Sequence, residues 1–254
     1  MSKKPQKHEN LNTHVYGRHA CISHLRHSRA SVSEVIVTPE TVGSPFGDTL
    51  RALLAEGKFS LAKMGRRELT EYLGHDNHQG IVLKLREGFS YSDFDDVLGK
   101  MTDTNLRPIL FLDRVQDPRN LGAIIRSACA FDFAAVVIQK DRATEVTGVT
   151  LKTAAGTASM IPICRVTNLG RAMDLAKAAG FWFVGADGNG VNLDRQEQFP
   201  SPMALIIGSE GEGIRQKLKE RCDFLVRIPM AQSVESLNAS VAAAILCYEL
   251  RKQS

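Results

Sequence analysis

The chain has 254 residues, of which 43% are hydrophobic and 24% are charged. This length suits one large domain or two unequal ones, and the composition is that of a globular protein with its own core, which excludes a largely disordered chain. The formal net charge of +4 favours a polyanionic partner only weakly, because many proteins that never bind nucleic acid carry as much.

The first residues of the chain are basic. Six lysines and arginines and five histidines fall within the first thirty residues, against one acid, Glu9. For residues 1–12 we predict a solvated tail, and the alternative is a basic patch that faces RNA.

Residues 13–88 are predicted to form a small α/β domain. The hydrophobic period predicts two helices and two strands, over residues 17–27 and 49–56 and over residues 33–38 and 80–85 respectively. The polar residues 89–106 are predicted to be a linker that contains one short helix, capped by Ser92.

Residues 107–254 are predicted to form a second, larger α/β domain. Six apolar, strand-like runs alternate with helical stretches, at residues 108–115, 134–139, 160–166, 181–186, 203–208 and 224–230. This alternation predicts a mostly parallel sheet covered on both faces. Ligands of such sheets bind beyond the carboxyl ends of the strands, so the site is expected in the loops at that edge.

The first motif is DRVQDPRNLGAIIRSA, residues 113–128. A strand ends there, Pro118 interrupts the backbone, and Asn120 is predicted to be the N-cap of a helix. The apolar positions of this helix lie on one face, and Arg126 lies opposite them. By residue type alone, Arg126 is more often a plain solvent-facing side chain than a functional one.

The second motif is LIIGSEGEGI, residues 205–214, with glycines at 208, 211 and 213. Their order differs from the dinucleotide fingerprint, and the motif has no lysine to make a P-loop. Glu210 and Glu212 would repel a phosphate but suit a cationic or hydroxyl-rich ligand, such as the sulfonium and ribose of S-adenosylmethionine. A tight turn without a ligand explains the motif equally well. The run GADGNG, residues 185–190, is predicted to be a loop that lines the same pocket.

The third motif is IPMAQSVESLNASVAAAILCYEL, residues 228–250. Ser236 is predicted to cap a C-terminal helix that packs on the sheet through an apolar stripe of Leu237, Val241, Ala244, Ile245 and Tyr248. The pattern leaves open whether Ser236 and Asn238 do more than cap the helix.

Cysteine spacing and hydropathy limit the remaining classes. The five cysteines form no CxxC pair and have no histidine at metal-ligand spacing, so we expect neither a metal site nor a disulfide framework. No apolar run approaches the roughly 18 residues of a membrane span, and no apolar stretch follows the first lysines. A cytoplasmic protein without a membrane partner is therefore predicted.

In this order, the three motifs resemble motifs 1, 2 and 3 of the SpoU/TrmH branch of the SPOUT methyltransferases, over residues 107–252. The early runs VYGRHACISHL, from Val15, and HQGIVLKL, from His78, are similar to the accessory domain of the bacterial 23S rRNA guanosine 2′-O-methyltransferases. The resemblance implies an α/β catalytic domain with a deep trefoil knot, an L30e-like RNA-binding domain in front of it, and a homodimer through the catalytic domains. It also implies S-adenosylmethionine as cofactor.

The resemblance assigns roles to particular residues. The catalytic positions are Asn120, Arg126, Glu210, Ser236 and Asn238. The cofactor-binding positions are Gly208, Ile228 and Leu237, whose backbone groups belong to the knot loops, together with the loop glycines Gly188 and Gly213. The departures from the family pattern are mild: Ser127 where threonine is usual and Ala239 where valine is usual.

The activity implied is methylation of a ribose 2′-hydroxyl in structured RNA, with a guanosine of 23S rRNA favoured over a tRNA or a resistance-type rRNA site. Because an arginine side chain stays protonated in proteins, we expect Arg126 to hold the adjacent phosphate and stabilise the developing alkoxide instead of acting as the base. A non-catalytic RNA-binding protein on the same fold remains an alternative. A nucleotide-dependent oxidoreductase would need a dinucleotide loop that the sequence lacks.

Overall fold

The computed structural model describes residues 13–55, 59–101, 106–193, 198–231 and 233–252. The predicted basic tail, residues 1–12, lies outside the described residues. The chain divides into two compact units, Met1–Ser90 with Val146–Ser159 and Tyr91–Glu145 with Met160–Ser254. A segment from the middle of the predicted second domain therefore packs with the first unit.

The first unit contains a four-stranded sheet in the order β1-β4-β2-β3. Its strands are β1 (His14–Tyr16), β2 (Val32–Val37), β3 (Ser60–Lys63) and β4 (Ile81–Leu85). Strand β4 is antiparallel to both β1 and β2, whereas β3 is parallel to β2. The two predicted strands are confirmed, and the short strands β1 and β3 were not predicted.

The helices of this unit are α1 (Arg18–His27), α2 (Pro39–Val42), α3 (Pro45–Ala55), α4 (Arg66–Leu73) and α7 (Gly148–Thr153). The two predicted helices correspond to α1 and α3, although α3 begins four residues earlier than predicted, at a proline that suits a first helical position. Leu69 and Leu73 of α4 pack with Tyr16, Ile36 and Val82 in a core of buried residues.

The segment Val146–Ser159 is fixed within the first unit by close packing. Thr147 and Thr150 form a capping box at the start of α7. Further on, Gly156 approaches α1 so closely that a Cβ there would lie 2.1 Å from the Cβ of Ser23, and the Ser23 hydroxyl donates to the Gly156 carbonyl at 2.8 Å. Glycine is required at this contact, also because its φ is +97°.

The second unit contains a six-stranded sheet in the order β10-β8-β9-β5-β6-β7. Its strands are β5 (Ile109–Leu112), β6 (Ala135–Gln139), β7 (Ile163–Val166), β8 (Trp182–Asn192), β9 (Met203–Ile207) and β10 (Phe224–Arg227). Every neighbouring pair is parallel. The predicted parallel sheet and its six strands are confirmed, and β5 and β9 are buried along their whole length, as a sheet covered on both faces requires.

The helices of this unit are α5 (Phe94–Gly99), α6 (Pro118–Ala130), α8 (Leu169–Ala178), α9 (Gln216–Lys219) and α10 (Ala239–Lys252). The predicted cap of α5 was wrong: the Asp93 side chain accepts from the Asp96 backbone N–H at 3.1 Å. Ser92 instead donates its backbone N–H to the Ile163 carbonyl, at the edge of the sheet.

The path of the chain creates a switch point in this sheet. From β5 the chain builds β6 and β7 on one side, then crosses to the other side and builds β8, β9 and β10, with β9 directly beside β5. After β10, at the far edge, the chain returns so that α10 contacts α6 and β9. Ligands of open parallel sheets bind outside the carboxyl ends of the strands at such a point. Among the described residues, every helix is too short or too polar to span a bilayer.

Candidate functional site

A cavity of about 720 Å³ lies at the carboxyl ends of β8 and β9. Its wall comes from the bulged part of β8, the loop after β9, the end of β10 with the residues that follow it, and the first half of α10. All five predicted cofactor-binding residues lie on this wall: Gly188, Gly208, Gly213, Ile228 and Leu237.

The loop after β9 is a tight glycine turn. A Cβ at Gly208 would lie 1.9 Å from the carbonyl carbon of Gly213, so no other residue fits at this position. The Gly213 N–H donates to the Ser209 carbonyl at 3.0 Å and closes the turn. At Gly188, Gly211 and Gly213 an added Cβ would meet no atom within 4 Å. The backbone at these three positions is therefore open to a ligand.

An ion pair between a buried aspartate and a half-buried arginine fixes the far end of this loop. Asp113, fully buried directly after β5, accepts from the Arg215 backbone N–H at 2.9 Å and from its Nε at 2.8 Å. The Arg215 guanidinium also donates to Gln139 Oε1 at 2.6 Å. Neither Asp113 nor Arg215 was predicted as a site residue, although an acid placed directly after a buried strand was an available signal. The pair ties the glycine turn to two strands of the sheet.

The three motifs meet in a polar triad of Asn120, Glu210 and Asn238. Glu210 Oε1 accepts from Asn120 Nδ2 at 2.6 Å and from Asn238 Nδ2 at 2.7 Å. Asn238 Nδ2 also donates to Asn120 Oδ1, at 3.1 Å. Residues separated by 90 and 28 positions in the chain are thus joined at one carboxylate oxygen, and Glu210 itself lies on the cavity wall.

Asn120 is available for this triad because it does not cap its helix, contrary to our prediction. The cap of α6 is Asp117, whose side chain accepts from the Arg119 N–H at 2.8 Å. Pro118 occupies the first helical position, where its fixed φ favours helix initiation. The helix therefore begins two residues before Asn120, and the Asn120 side chain projects from its first turn to Glu210.

The predicted cap of the last helix, Ser236, was also wrong. Helix α10 begins at Ala239, and Asn238 Oδ1 accepts from the backbone N–H of Ser240 at 2.9 Å and from its hydroxyl at 2.6 Å. Asn238 thus caps the helix with its oxygen and joins the triad with its nitrogen. Ser236 lies before the helix and is exposed on the cavity wall.

The predicted apolar stripe of α10 is not its buried face. The buried residues are Ala239, Ala243, Leu246, Cys247 and Leu250, whereas Val241 and Tyr248 of the predicted stripe are 46% and 50% exposed. The prediction failed because nearly every position of this alanine-rich helix is apolar, so the hydrophobic period did not determine the face that packs on α6 and β9.

Arg126 is the one predicted catalytic residue that the structure does not bring to the cavity. It lies on the exposed side of α6, opposite the buried face, as the helical wheel predicted. Within the described part of the chain, its guanidinium has no hydrogen-bond or ion-pair partner. Of the other four, Glu210 and Ser236 lie on the cavity wall, and Asn120 and Asn238 are bonded to Glu210.

The run GADGNG lies within β8, and its prediction as a loop was therefore wrong in secondary structure. Gly185 pairs with Leu225 and Val191 pairs with Val226, so residues 186–190 bulge out of the ladder. The bulge lines the cavity, as expected. At its end, a Cβ on Gly190 would lie 2.6 Å from the Leu225 backbone, so only glycine allows β10 to return to its register beside β8.

Charged side chains of both signs lie on the cavity wall. Asp187, in the bulge of β8, forms an ion pair with Lys219 of α9. Burial alone would raise the pKa of Asp187, but the hydrogen bonds from Lys219 and from the Asn189 N–H outweigh it and lower that pKa. Glu212 pairs with Arg114 at 2.9 Å. Among the described residues, no group of three His, Cys, Asp or Glu side chains is placed to hold a metal ion.

The cavity has the chemistry that S-adenosylmethionine requires. Open glycine backbone provides hydrogen-bonding groups for hydroxyls, and the acidic side chains of the wall give the cavity the negative charge that suits a cation. Apolar side chains such as Val226 and Leu246 cover the inner part of the wall, where a flat base can be buried.

The fold and the site together define an α/β cofactor-binding enzyme with an additional small α/β unit. A family model described as SpoU rRNA Methylase family matches residues 107–248, and one described as RNA 2′-O ribose methyltransferase substrate binding matches residues 14–88. The chain therefore belongs to the SpoU rRNA Methylase family. It is an RNA methyltransferase, and its cofactor is S-adenosylmethionine.

Individual relatives are similar over nearly the whole chain. The 23S rRNA (guanosine-2′-O-)-methyltransferase RlmB of Pseudomonas putida is 36% identical over 241 residues, which cover 94% of this chain and 96% of that protein. The RlmB of Vibrio parahaemolyticus is 37% identical over 244 residues, or 95% and 97% of the two chains. The crystal structure of the SpoU methyltransferase AviRb from Streptomyces viridochromogenes in complex with the cofactor AdoMet has a TM-score of 0.78 and 26% identity, covering 94% of this chain and 89% of that one.

Proposed function

We propose that this enzyme transfers a methyl group from S-adenosylmethionine to the ribose 2′-hydroxyl of a guanosine in 23S rRNA. The observation that carries the proposal is the triad of Asn120, Glu210 and Asn238 on the edge of the cavity, where the three motifs converge. The similarity to RlmB proteins over whole chains supports the choice of nucleotide and RNA. A ribosomal RNA substrate would place this activity in the cytoplasm.

Backbone groups of Gly208, Ile228 and Leu237 would hold the cofactor, with Gly188 and Gly213 allowing its close approach. When bound, the cofactor supplies an electrophilic methyl group on a sulfonium. The triad keeps the wall rigid, because Glu210 is held by amides from α6 and from the start of α10. Such preorganisation reduces the cost of orienting the reactants.

The RNA substrate would be oriented by exposed side chains. The Ser236 hydroxyl, exposed on the wall, suits a hydrogen bond to the target ribose. Arg126 would bind the phosphate next to this ribose and stabilise the negative charge that develops on the 2′-oxygen as its proton leaves to that phosphate or to water. The exposure of Arg126, without a partner among the described residues, is consistent with a role that begins when RNA binds.

The enzyme would act as a homodimer joined through the catalytic units, whose chain would be tied in a trefoil knot by the return from β10 to α10. The apolar side chains that α10 exposes, Val241 and Tyr248, support such an interface. Phe131, at the end of α6, extends this face, since its ring centroid lies 5.7 Å from that of Tyr248. Arg126, also on α6, lies outside the cavity of its own chain. In a dimer it would therefore serve the cavity of the second chain.

The first unit would bind the RNA. Arg18, which is exposed, lies over Phe46 at 5.2 Å from the ring centroid, and the half-buried Lys152 lies over the buried ring of Tyr16 at 5.8 Å. The two cations suit phosphate groups, and the half-buried ring of Phe46 suits an unstacked base. These contacts support an L30e-like substrate-binding role for residues 13–88, to which Lys152 adds a group from the later segment.

Mapping 2′-O-methyl groups in total RNA tests the proposal directly. RNA from cells with and without the gene should differ at one guanosine of 23S rRNA, and the wild-type gene should restore the methyl group where the Arg126→Ala gene does not. A difference in tRNA with unchanged 23S rRNA would replace the proposed substrate. An unchanged methyl map would refute the proposal.

A further inference from the structure

Two side chains of the described cavity wall, Asp187 and Lys219, form an ion pair with each other that the triad does not use. Asp187 lies in the bulge of β8, and Lys219 is the last residue of α9. Their side chains are only 8% and 23% exposed. Withdrawing two charges from water is costly, and the only further partner of the pair among the described residues is the Asn189 N–H, which donates to Asp187 at 2.9 Å, so the pair is weak support for stability. Because the pair lies on the wall of a ligand cavity, a ligand that carries charges of both signs would complement it.

The other charged side chains of the wall already have partners or face solvent. Glu210 is held by two asparagines and Glu212 by Arg114. Arg227, which is exposed, donates to Asn192 Oδ1, and Glu235 is exposed. Lys219 is therefore the more buried of the two cations on the described wall. An ammonium has three protons, and Asp187 is the partner of Lys219 among the described residues, so the remaining protons are available to a ligand.

We propose that Lys219 binds the α-carboxylate of the cofactor's amino-acid end and that Asp187 fixes the Lys219 ammonium and accepts from the adjacent α-ammonium. The carboxylate is the single anionic group of S-adenosylmethionine, so its binding requires a donor, and a cation gives the strongest hydrogen bond. Four alternating charges in a partly buried site compensate one another's desolvation better than two. This adds side-chain selection to the backbone contacts that the family resemblance implies.

Two nucleoside ligands separate the amino-acid end from the rest of the cofactor. S-adenosylhomocysteine has the adenine, ribose and amino-acid end, whereas 5′-methylthioadenosine lacks the amino-acid end. Titration calorimetry of the full chain should show that Lys219→Met weakens S-adenosylhomocysteine binding by about tenfold to a hundredfold and changes methylthioadenosine binding less than about twofold. Lys219→Arg should recover most of the loss. The matched control is Lys217→Met, on the exposed side of the same helix, which should change neither affinity.

The remaining outcomes decide against the proposal. Equal weakening of both ligands by Lys219→Met would mean that the pair shapes the adenosine site, and no weakening would mean that Lys219 does not contact the ligand. A selective loss in Arg227→Met, with Lys219→Met unaffected, would assign the carboxylate to Arg227. Loss of methylthioadenosine binding in Asp187→Asn would place Asp187 on the ribose hydroxyls.

A wild-type chain that binds neither ligand would instead contradict the assignment of S-adenosylmethionine as the cofactor. Failure of that assignment and failure of the Lys219 proposal are therefore distinguishable. Thermal unfolding of each variant identifies those that do not fold. Where Lys219→Met does not fold, Lys219→Gln carries the test, because it removes the charge but keeps a polar side chain of similar length, and it should weaken S-adenosylhomocysteine binding selectively.

Discussion

Several hydrogen bonds of the triad share one acceptor, the Oε1 atom of Glu210. Oε1 accepts from Asn120 and Asn238, and the Ala239 N–H points to it at 3.4 Å. A hydrogen bond to a charged group contributes about 1.5–3 kcal/mol, more than one between neutral groups. The carboxylate therefore holds three segments of the chain together instead of contacting a ligand directly.

Replacement of Glu210 by alanine should leave both amides without their acceptor and loosen the wall of the cavity. We expect the rate of RNA methylation to fall by about tenfold or more, measured by transfer of labelled methyl groups to rRNA. Glu212→Ala is the control, because the Glu212 side chain is 74% exposed and such an ion pair contributes about 1 kcal/mol or less. Equal loss in the two variants would mean that loop charge, and not the triad, matters.

Substitution of Arg126 should affect catalysis without affecting cofactor binding, because Arg126 lies outside the cavity. Arg126→Ala is expected to bind S-adenosylhomocysteine with unchanged affinity by calorimetry while methyl transfer to rRNA is abolished. Arg119→Ala, on the exposed first turn of the same helix, serves as a matched control for loss of positive charge. Full activity of the Arg126 variant would refute the assignment.

The glycine turn after β9 depends on one position. Gly208→Ala would place a Cβ inside the backbone of Gly213, and such overpacking costs about 1–3 kcal/mol or more. We expect a lower midpoint of urea unfolding and lost cofactor affinity. Gly99→Ala, at a position where a Cβ meets nothing within 4 Å, should not destabilise the protein. Unchanged binding in Gly208→Ala would show that the turn can move without consequence.

The strands of the second unit could be predicted from sequence because each contains a run of apolar residues. The first residues of the helices were predicted less accurately than the strands. Asp117 and Asn120 are both suitable caps for α6, and Ser236 and Asn238 are both suitable caps for α10. The position of Pro118 and the hydrogen bonds of the two asparagines to Glu210 determine which residue caps each helix. The motif glycines and acids were found, whereas the Asp113–Arg215 pair was missed because its partners lie 102 residues apart.

For the whole molecule, a buried histidine in the first unit makes stability depend on pH. Burial lowers the pKa of His24 to about 4, and the unfolded chain titrates near 6.5. The folded state therefore keeps His24 neutral while the unfolded state takes up a proton below about pH 6.5. Above that pH, His24 therefore does not reduce the free energy of unfolding. As the pH falls from there towards 4, His24 lowers the free energy of unfolding progressively, by up to about 3 kcal/mol.

Denaturant unfolding of the full chain between pH 7.5 and 4.5, values chosen to span roughly this window, should show a smaller loss of stability at acid pH in His24→Gln than in wild type. Burial also lowers the pKa values of His75 and His78, so part of the dependence should remain. Exposed His19→Gln is the control. Identical slopes in His24→Gln and wild type would contradict the role of His24.

The proposed dimer predicts that two defective chains can complement each other. Arg126→Ala retains an intact cavity, and Gly208→Ala retains Arg126; in a mixed dimer, Arg126 of one chain would serve the cavity of the other. Co-expression is therefore expected to restore part of the methyl transfer that each variant lacks alone. Mixed dimers that form but stay inactive would mean that Arg126 serves its own chain. Val241→Asp should give monomers by light scattering.

The insertion of Val146–Ser159 into the first unit has a consequence for how the protein can be divided. A gene cut at the linker would yield an N-terminal fragment stripped of the residues that contact Ser23 and Tyr16, and a C-terminal fragment with that segment deprived of its packing partners. Neither half would be complete, although each corresponds to one family model. Shuffling of such halves between relatives must therefore carry this segment with the N-terminal half.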